Sequence, residues 1–276
     1  MGKFDGVLIC TDLDGTLYKN DKTISRENRE AIEYFKREGG YFTFVTGRMY
    51  FTARRLYDMV KPNAPICCIN GGGIYDYEKG EYLWSITLPH DAKELVDAVY
   101  QAVPSAGIQM NALDKIYFCR DNDAMYHFRK RTGASFVEGN HMTLDVPVGK
   151  VVFGDEEENI QKVAEVLSNH PRSAEFDYIR SEKTLYEILP KGSSKGNLLI
   201  KLAEILGVDA RKTVAIGDYN NDVSMIKAAG VGVAVANAVE EAKAVADIVT
   251  VSNEESAIAK IIEEIDKGQI VFEYKK

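Results

Sequence analysis

Residues 7–17 constrain this chain more than any other stretch, because an apolar run (Val7, Leu8, Ile9, Cys10) stops at two carboxylates, Asp12 and Asp14, followed by Gly15. In an extended strand, side chains two apart point the same way, so Asp12 and Asp14 project together from the end of a buried strand. Two like charges about 5 Å apart repel by about 3 kcal/mol at an effective dielectric near 20. A hard divalent cation such as Mg2+, which takes oxygen ligands and keeps waters that a phosphate can displace, is the natural occupant of such a pair. Alone, Asp-x-Asp-Gly is also an ordinary solvated turn, and the rest of the chain has to decide between the two.

The run at 7–10 is the first of a series. Strand signals at 41–45 and 66–69 alternate with helix signals at 25–38, with Ser25 as N-cap and Gly39-Gly40 as the stop, and at 50–60, stopped by Pro62. The same alternation returns near the C-terminus. A helical stripe of Leu198, Leu199, Leu202, Ile205 and Leu206 is closed by Gly207, and strands at 213–216, 231–235 and 247–250 follow, with helices at about 221–229, 239–245 and 256–265. Continuously apolar strands separated by helices predict an α/β fold with a doubly wound, Rossmann-like, mostly parallel sheet core, covered on both faces and connected by right-handed crossovers.

From about 82 to 188 the pattern changes to amphipathic segments with polar turns: helices at 91–102, 123–131 and 159–167, strands at 115–120, 150–153, 174–180 and 185–189. This predicts an inserted α+β domain at 83–188 within a core made of 1–82 and 189–276, with glycines 71–73 and Pro190-Lys191-Gly192 as hinges. Residues 269–274 have β character without a place in this scheme.

Ligands of open α/β sheets bind at the carboxyl ends of the strands, and four such ends carry chemistry. The first offers Asp12 and Asp14. The second offers Thr46-Gly47-Arg48, a hydroxyl and glycine N–H groups suited to a phosphoryl oxygen, although a Thr there also serves as a turn residue. Lys195, in Gly192-Ser193-Ser194-Lys195-Gly196, starts a helix where the macrodipole disfavours a cation. A nearby phosphate would account for it; a surface lysine is the other reading, and the order is not that of a Walker loop. The run 214–216 stops at Gly217-Asp218, and Asp222 follows one helical turn on. Asp218 can reach the same cation as Asp12, while Asp222 can hold a metal-bound water or orient Lys195. Each residue has an ordinary structural role by itself; carboxylate, hydroxyl, amine and carboxylate together form the pattern of one phosphate-handling pocket.

Asp12-Leu13-Asp14-Gly15-Thr16, Thr46-Gly47-Arg48, Lys195 and Gly217-Asp218-Tyr219-Asn220-Asn221-Asp222 resemble, in order and over essentially the whole chain, the four motifs of haloacid-dehalogenase-superfamily phosphatases, specifically the Cof-like group. The segment between the second and third motifs resembles that group's large α/β cap, which implies a substrate-selecting role for 83–188. The resemblance further implies Asp12 as nucleophile and Mg2+ ligand, Asp14 as general acid/base that also lends its backbone carbonyl to the metal, and Asp218 as the remaining side-chain ligand. Thr46 and Lys195 would grip the phosphoryl oxygens, with Gly47 and Arg48 beside them, and Asn221 would help place Lys195 or the substrate. A carboxylate nucleophile splits hydrolysis into formation and breakdown of an aspartyl-phosphate.

The expected activity is Mg2+-dependent hydrolysis of small phosphorylated metabolites, sugar phosphates foremost. A phosphosugar mutase or phosphotransferase, and a signalling module read out through phosphorylated Asp12, are the alternatives. A net charge of −8 and a pI near 5.2 argue against nucleic acid as partner. Cys10, Cys67, Cys68 and Cys119 lack paired metal spacing, the four histidines are scattered through the insert, and no apolar stretch approaches a membrane span, so a cytoplasmic protein with reduced cysteines and no membrane partner is expected.

Overall fold

The computed structural model describes residues 2–272, which leaves part of the 269–274 stretch outside the described residues; 269–272 form no strand. The chain divides into two compact units, one of residues up to Thr46, Arg54–Leu83 and Ser194 onward, the other of Gly47–Ala53 and Trp84–Ser193.

The chain opens with β1 (Leu8–Thr11), every residue of which is buried, followed by α1 (Arg26–Arg37) and β2 (Tyr41–Phe44). Ser25 caps α1 by accepting the Asn28 N–H at 3.1 Å, one of the four donors that a helix start leaves unpaired. Next come α2 (Tyr50–Val60) and a three-stranded sheet of β3 (Ile66–Cys68), β4 (Gly73–Asp76) and β5 (Glu81–Ser85). Strands β4 and β5 are not anticipated from the sequence, because the glycines at 71–73 read as a hinge. Gly73 instead opens a strand, and a Cβ there would meet the Tyr82 ring at 2.6 Å.

The inserted unit contains α3 (Lys93–Ala102), β6 (Gly107–Ala112), β7 (Ile116–Arg120), α4 (Asp123–Thr132), β8 (Val148–Gly154), α5 (Glu157–Ser168), β9 (Phe176–Glu182) and β10 (Leu185–Pro190). Its five strands run in the order β7-β6-β8-β10-β9, antiparallel throughout. Leu95, Val96 and Val99 of α3 and Ile160, Val163 and Leu167 of α5 pack with Ile108, Met110, Val151, Phe153 and Ile188 as one core. Strand β6 escapes the sequence reading although Ile108, Met110 and Ala112 alternate with Gln109 and Asn111. The alternation has the right period, but the amides are buried as well as the apolar side chains.

On the face of this sheet that carries Gln109 and Asn111, Lys150 donates to Glu187 at 2.9 Å with both side chains 3% exposed, and Glu187 also accepts the Ser181 hydroxyl at 2.6 Å. Removing one partner of such a pair strands a buried charge. Lys150→Met should therefore cost about 3–5 kcal/mol of stability, whereas Lys150→Met with Glu187→Leu should recover most of it. Chemical denaturation of the three proteins checks this, and equal stability of the single and double variants would contradict it.

The chain then returns through α6 (Lys195–Leu206), β11 (Thr213–Gly217), α7 (Val223–Ala228), β12 (Val231–Ala234), α8 (Glu240–Lys243), β13 (Ile248–Val249) and α9 (Ala257–Asp266). The principal sheet has the order β13-β12-β11-β1-β2 and is parallel throughout. The chain moves outward from β1 to β2 in one direction and from β11 to β13 in the other. Right-handed crossovers in opposite directions put their helices on opposite faces; α1 packs on α9, and α6 on α7. The reversal leaves a switch point between β1 and β11.

Candidate active site

At that switch point the carboxyl ends of two neighbouring strands deliver acids side by side. Asp12 directly follows Thr11, and its N–H donates to Ile216 O at 2.9 Å, continuing the ladder between β1 and β11. Asp218 directly follows Gly217. A Cβ at Gly217 would lie 2.4 Å from Cβ of Asp222, so glycine is the residue that lets Asp222 fold back beneath the strand end. There, Asp222 Oδ2 accepts the N–H groups of Asp218 and Tyr219, each at 3.0 Å, and Oδ1 accepts from Lys195 Nζ at 2.6 Å. Both oxygens of this fully buried carboxylate are thus engaged by the protein.

Lys195 is the first residue of α6, with Ser194 capping the helix by accepting the Asn197 N–H at 3.0 Å. Its ammonium is fully buried and spans two carboxylates, Asp12 Oδ1 at 2.5 Å and Asp222 Oδ1 at 2.6 Å. These charges offset both the macrodipole and the loss of water, and they use two of its three donors.

Oxygens of Asp12, Asp218 and Asp222 lie within 4.8 Å of one another. With all three ionised, three carboxylates against one ammonium would leave an excess of two negative charges in a buried space. Burial pushes the Asp12 carboxyl up to about 7, reinforced by Asp222 and Asp14 and opposed by Lys195. Burial likewise pushes Asp218 up to about 8, with Asp12 and Asp222 adding to it. For Lys195, burial pulls the ammonium down, yet Asp12 and Asp222 together hold it well above its usual value. An oxygen-only donor set with two surplus negative charges fits a hard divalent cation. Because both oxygens of Asp222 are engaged, the side chains with room for one are Asp12 and Asp218.

The turn after β1 lies against this cluster. Gly15 has φ +92°, and a Cβ there would sit 2.5 Å from Asp218 Oδ2, so the position requires glycine on both counts. Thr16 donates its hydroxyl to Asp218 Oδ1 at 2.7 Å. The half-exposed carboxylate of Asp14 pairs with Lys22 at 3.0 Å. Thr46 is buried just beyond β2, with its N–H on Cys67 O at 2.9 Å and its carbonyl accepting from Asn70 at 3.2 Å. Asn221 donates to the Asn70 side chain at 3.1 Å. Gly47 and Arg48 belong to the inserted unit.

Thr16 and Asn70 escape the sequence reading as site residues. Thr16 sits inside the first motif, three residues after Leu13, and its hydroxyl gains meaning only once Asp218 is beside it. Ile69 and Asn70 both have left-handed backbone, φ 63° and 52°. For β-branched Ile69 this costs on the order of 1–3 kcal/mol, a strain characteristic of functional turns and invisible in the residue types.

A family model described as haloacid dehalogenase-like hydrolase matches residues 9–262. The chain is 31% identical over 263 residues to the 5-amino-6-(5-phospho-D-ribitylamino)uracil phosphatase YitU of Bacillus subtilis (strain 168), covering 93% of this chain and 96% of that one. It is 33% identical over 289 residues to the phosphatase YwtE of the same organism, named for the same substrate, with coverage of 95% and 98%. A crystal structure of a haloacid dehalogenase-like hydrolase from Bacteroides thetaiotaomicron superposes with a TM-score of 0.83 at 28% identity, covering 94% of this chain and 99% of that one. Parallel core, antiparallel insert, acid cluster and family match agree, and this chain belongs to the haloacid dehalogenase-like hydrolases as an enzyme of their phosphatase branch.

Proposed function

We propose that this enzyme is a Mg2+-dependent phosphatase of small phosphorylated metabolites that works through an aspartyl-phosphate on Asp12, with sugar and sugar-alcohol phosphates as the leading substrate class. The observation that carries the reading is the Lys195 ammonium held between Asp12 and Asp222 beside Asp218. The relatives named for a phosphorylated ribityl compound support the substrate class.

Asp12 and Asp218, with the Asp14 carbonyl, would hold the metal, which lowers the electrostatic cost of bringing a phosphate to a carboxylate. Lys195 fixes Asp12 through Oδ1 and directs its third donor, with the Thr46 hydroxyl, toward phosphoryl oxygens. In the first half-reaction a carboxylate oxygen of Asp12 forms a bond to phosphorus as the bond to the leaving oxygen breaks, and Asp14 gives that oxygen its proton. Asp14, now ionised, takes a proton from water in the second half-reaction. The hydroxide oxygen bonds to phosphorus, the bond to Asp12 breaks, and inorganic phosphate leaves. The half-exposed setting of Asp14 suits a group that must exchange protons with both partners.

Phosphate release should be measured with Mg2+ against phosphorylated sugars, sugar alcohols, nucleotides, pyridoxal phosphate and flavin mononucleotide. Chelation by EDTA should lower turnover by about a thousandfold or more, since charge stabilisation by a metal is worth several kcal/mol. Turnover indifferent to chelation would remove the metal from the reading.

Thermal melts give a readout independent of activity. The folded-state values of Asp12 and Asp218 are raised, so without metal the folded chain keeps protons that the unfolded chain has lost between about pH 4 and pH 8. Their contribution to stability is present at low pH and falls as pH rises through that window. Mg2+ competes with those protons, so its stabilisation should be small at pH 5 and grow toward pH 8. At 100 times its dissociation constant it should reach about 2.7 kcal/mol. A Mg2+ shift that is the same at pH 5 and pH 8 would contradict this.

A further inference from the structure

Resting on the phosphatase reading above, we propose that Asn237 is a positioning residue for the reacting loop, acting through the Gly15 carbonyl without touching substrate. Its Nδ2 donates to Gly15 O at 2.8 Å, while its Oδ1 accepts the Asn253 N–H at 2.9 Å. The two bonds fix the orientation of the amide, because one end must donate and the other accept. Asn253 extends the grip: its Nδ2 donates to Tyr18 O at 2.9 Å and to Asn20 Oδ1 at 3.2 Å, and the Asn20 N–H donates to Glu254 Oε1 at 2.7 Å. Two asparagines thus hold two carbonyls of the turn that follows Asp12 and Asp14.

The segment that carries Asn237 also holds the opposite strand end. Val235 N–H donates to Gly217 O at 3.2 Å and Val239 N–H to Asp218 O at 2.9 Å. Residues 235–239 therefore grip the main chain on both sides of the switch point, once at Gly15 and twice at 217–218. Gly15 lies directly on Asp218, and the next residue, Thr16, bonds Asp218 Oδ1 at 2.7 Å. A displacement of the backbone at residues 15–16 would carry the Thr16 hydroxyl off Asp218 and would move the adjoining residue, Asp14, with it. Asn237 donates to the carbonyl of the peptide between them. It is exposed whereas Asn253 is buried, so truncating Asn237 removes the donor without opening the core.

Asn237→Ala and Asn237→Asp test the assignment in the full chain with Mg2+. Aspartate keeps the acceptor for Asn253 and loses the donor to Gly15. Both variants should lower kcat by about tenfold to a hundredfold, the scale of a lost alignment, with KM within about twofold and the melting midpoint nearly unchanged. The loss in Asn237→Ala should be the same at every pH, which a charge effect would not produce, and amide exchange at residues 14–20 should become faster. A kcat within twofold of the parent in either variant, or unaltered exchange at 14–20 in Asn237→Ala, overturns the proposal. If the parent enzyme releases no phosphate from any of the compounds, the phosphatase reading itself fails, and exchange at 14–20 then decides about Asn237 alone: faster sustains the grip, unaltered ends it.

Discussion

Asp12→Asn should abolish phosphate release, by about four to six orders of magnitude, while leaving a folded protein. On the mechanism proposed above, the size of the effect follows from removing the atom that would bond to phosphorus, since units of this kind lose nearly all their acceleration when the nucleophile goes. The folded state should survive because the substitution deletes a charge that burial already disfavours, and Lys195 keeps Asp222 as partner at 2.6 Å. Thermal stability in chelator should be equal to or above that of the parent, a result opposite to ordinary damage at a core position. Turnover above about one per cent of the parent in this variant would remove Asp12 from the nucleophile's role.

Lys195→Met should damage both stability and turnover. The ammonium is the cation for two buried carboxylates, and methionine leaves both without it. Breaking a buried pair from one side costs about 3–5 kcal/mol, which in a chain of this size lowers the melting midpoint by about 10 °C. Adding Asp222→Asn should return much of the stability, since the amide tolerates burial without a counter-charge, and should return none of the turnover. Recovery of activity in the double variant would show that Lys195 serves only to neutralise Asp222.

The strand ends are legible because both signals they rest on are local. A continuous apolar run marks a strand buried on both faces, and a polar residue just beyond the strand marks where the chain leaves the sheet. Asp12 after β1, Thr46 beyond β2 and Asp218 after β11 all stand out in this way, as does Lys195 behind its Ser194 cap. The helix at 50–60 matches α2 residue for residue. Elements shorten where the apolar pattern outlasts the hydrogen bonds: the helix expected at 239–245 is reduced to α8, Glu240–Lys243, and the strand at 247–250 to β13, Ile248–Val249. The helix expected at 221–229 begins as a 3₁₀ turn at Asn220–Asp222, because Asp222 turns inward to Lys195. Among the described residues no helix is long and apolar enough to cross a membrane.

Residue order and type by themselves determine an α/β core, an insert of different texture, and which side chains end the strands, since periodicity and turn chemistry act over a few residues. Which groups then meet is decided only by the tertiary structure. Lys195 and Asp12 are 183 residues apart and Asn237 and Gly15 are 222 apart. Their contacts depend on β1 lying next to β11 and on the register that sets Thr11 opposite Ile216. The helix-start lysine shows the difference: its position promises an anion, yet only the folded sheet supplies two carboxylates as that anion and so commits Asp222 to holding Lys195.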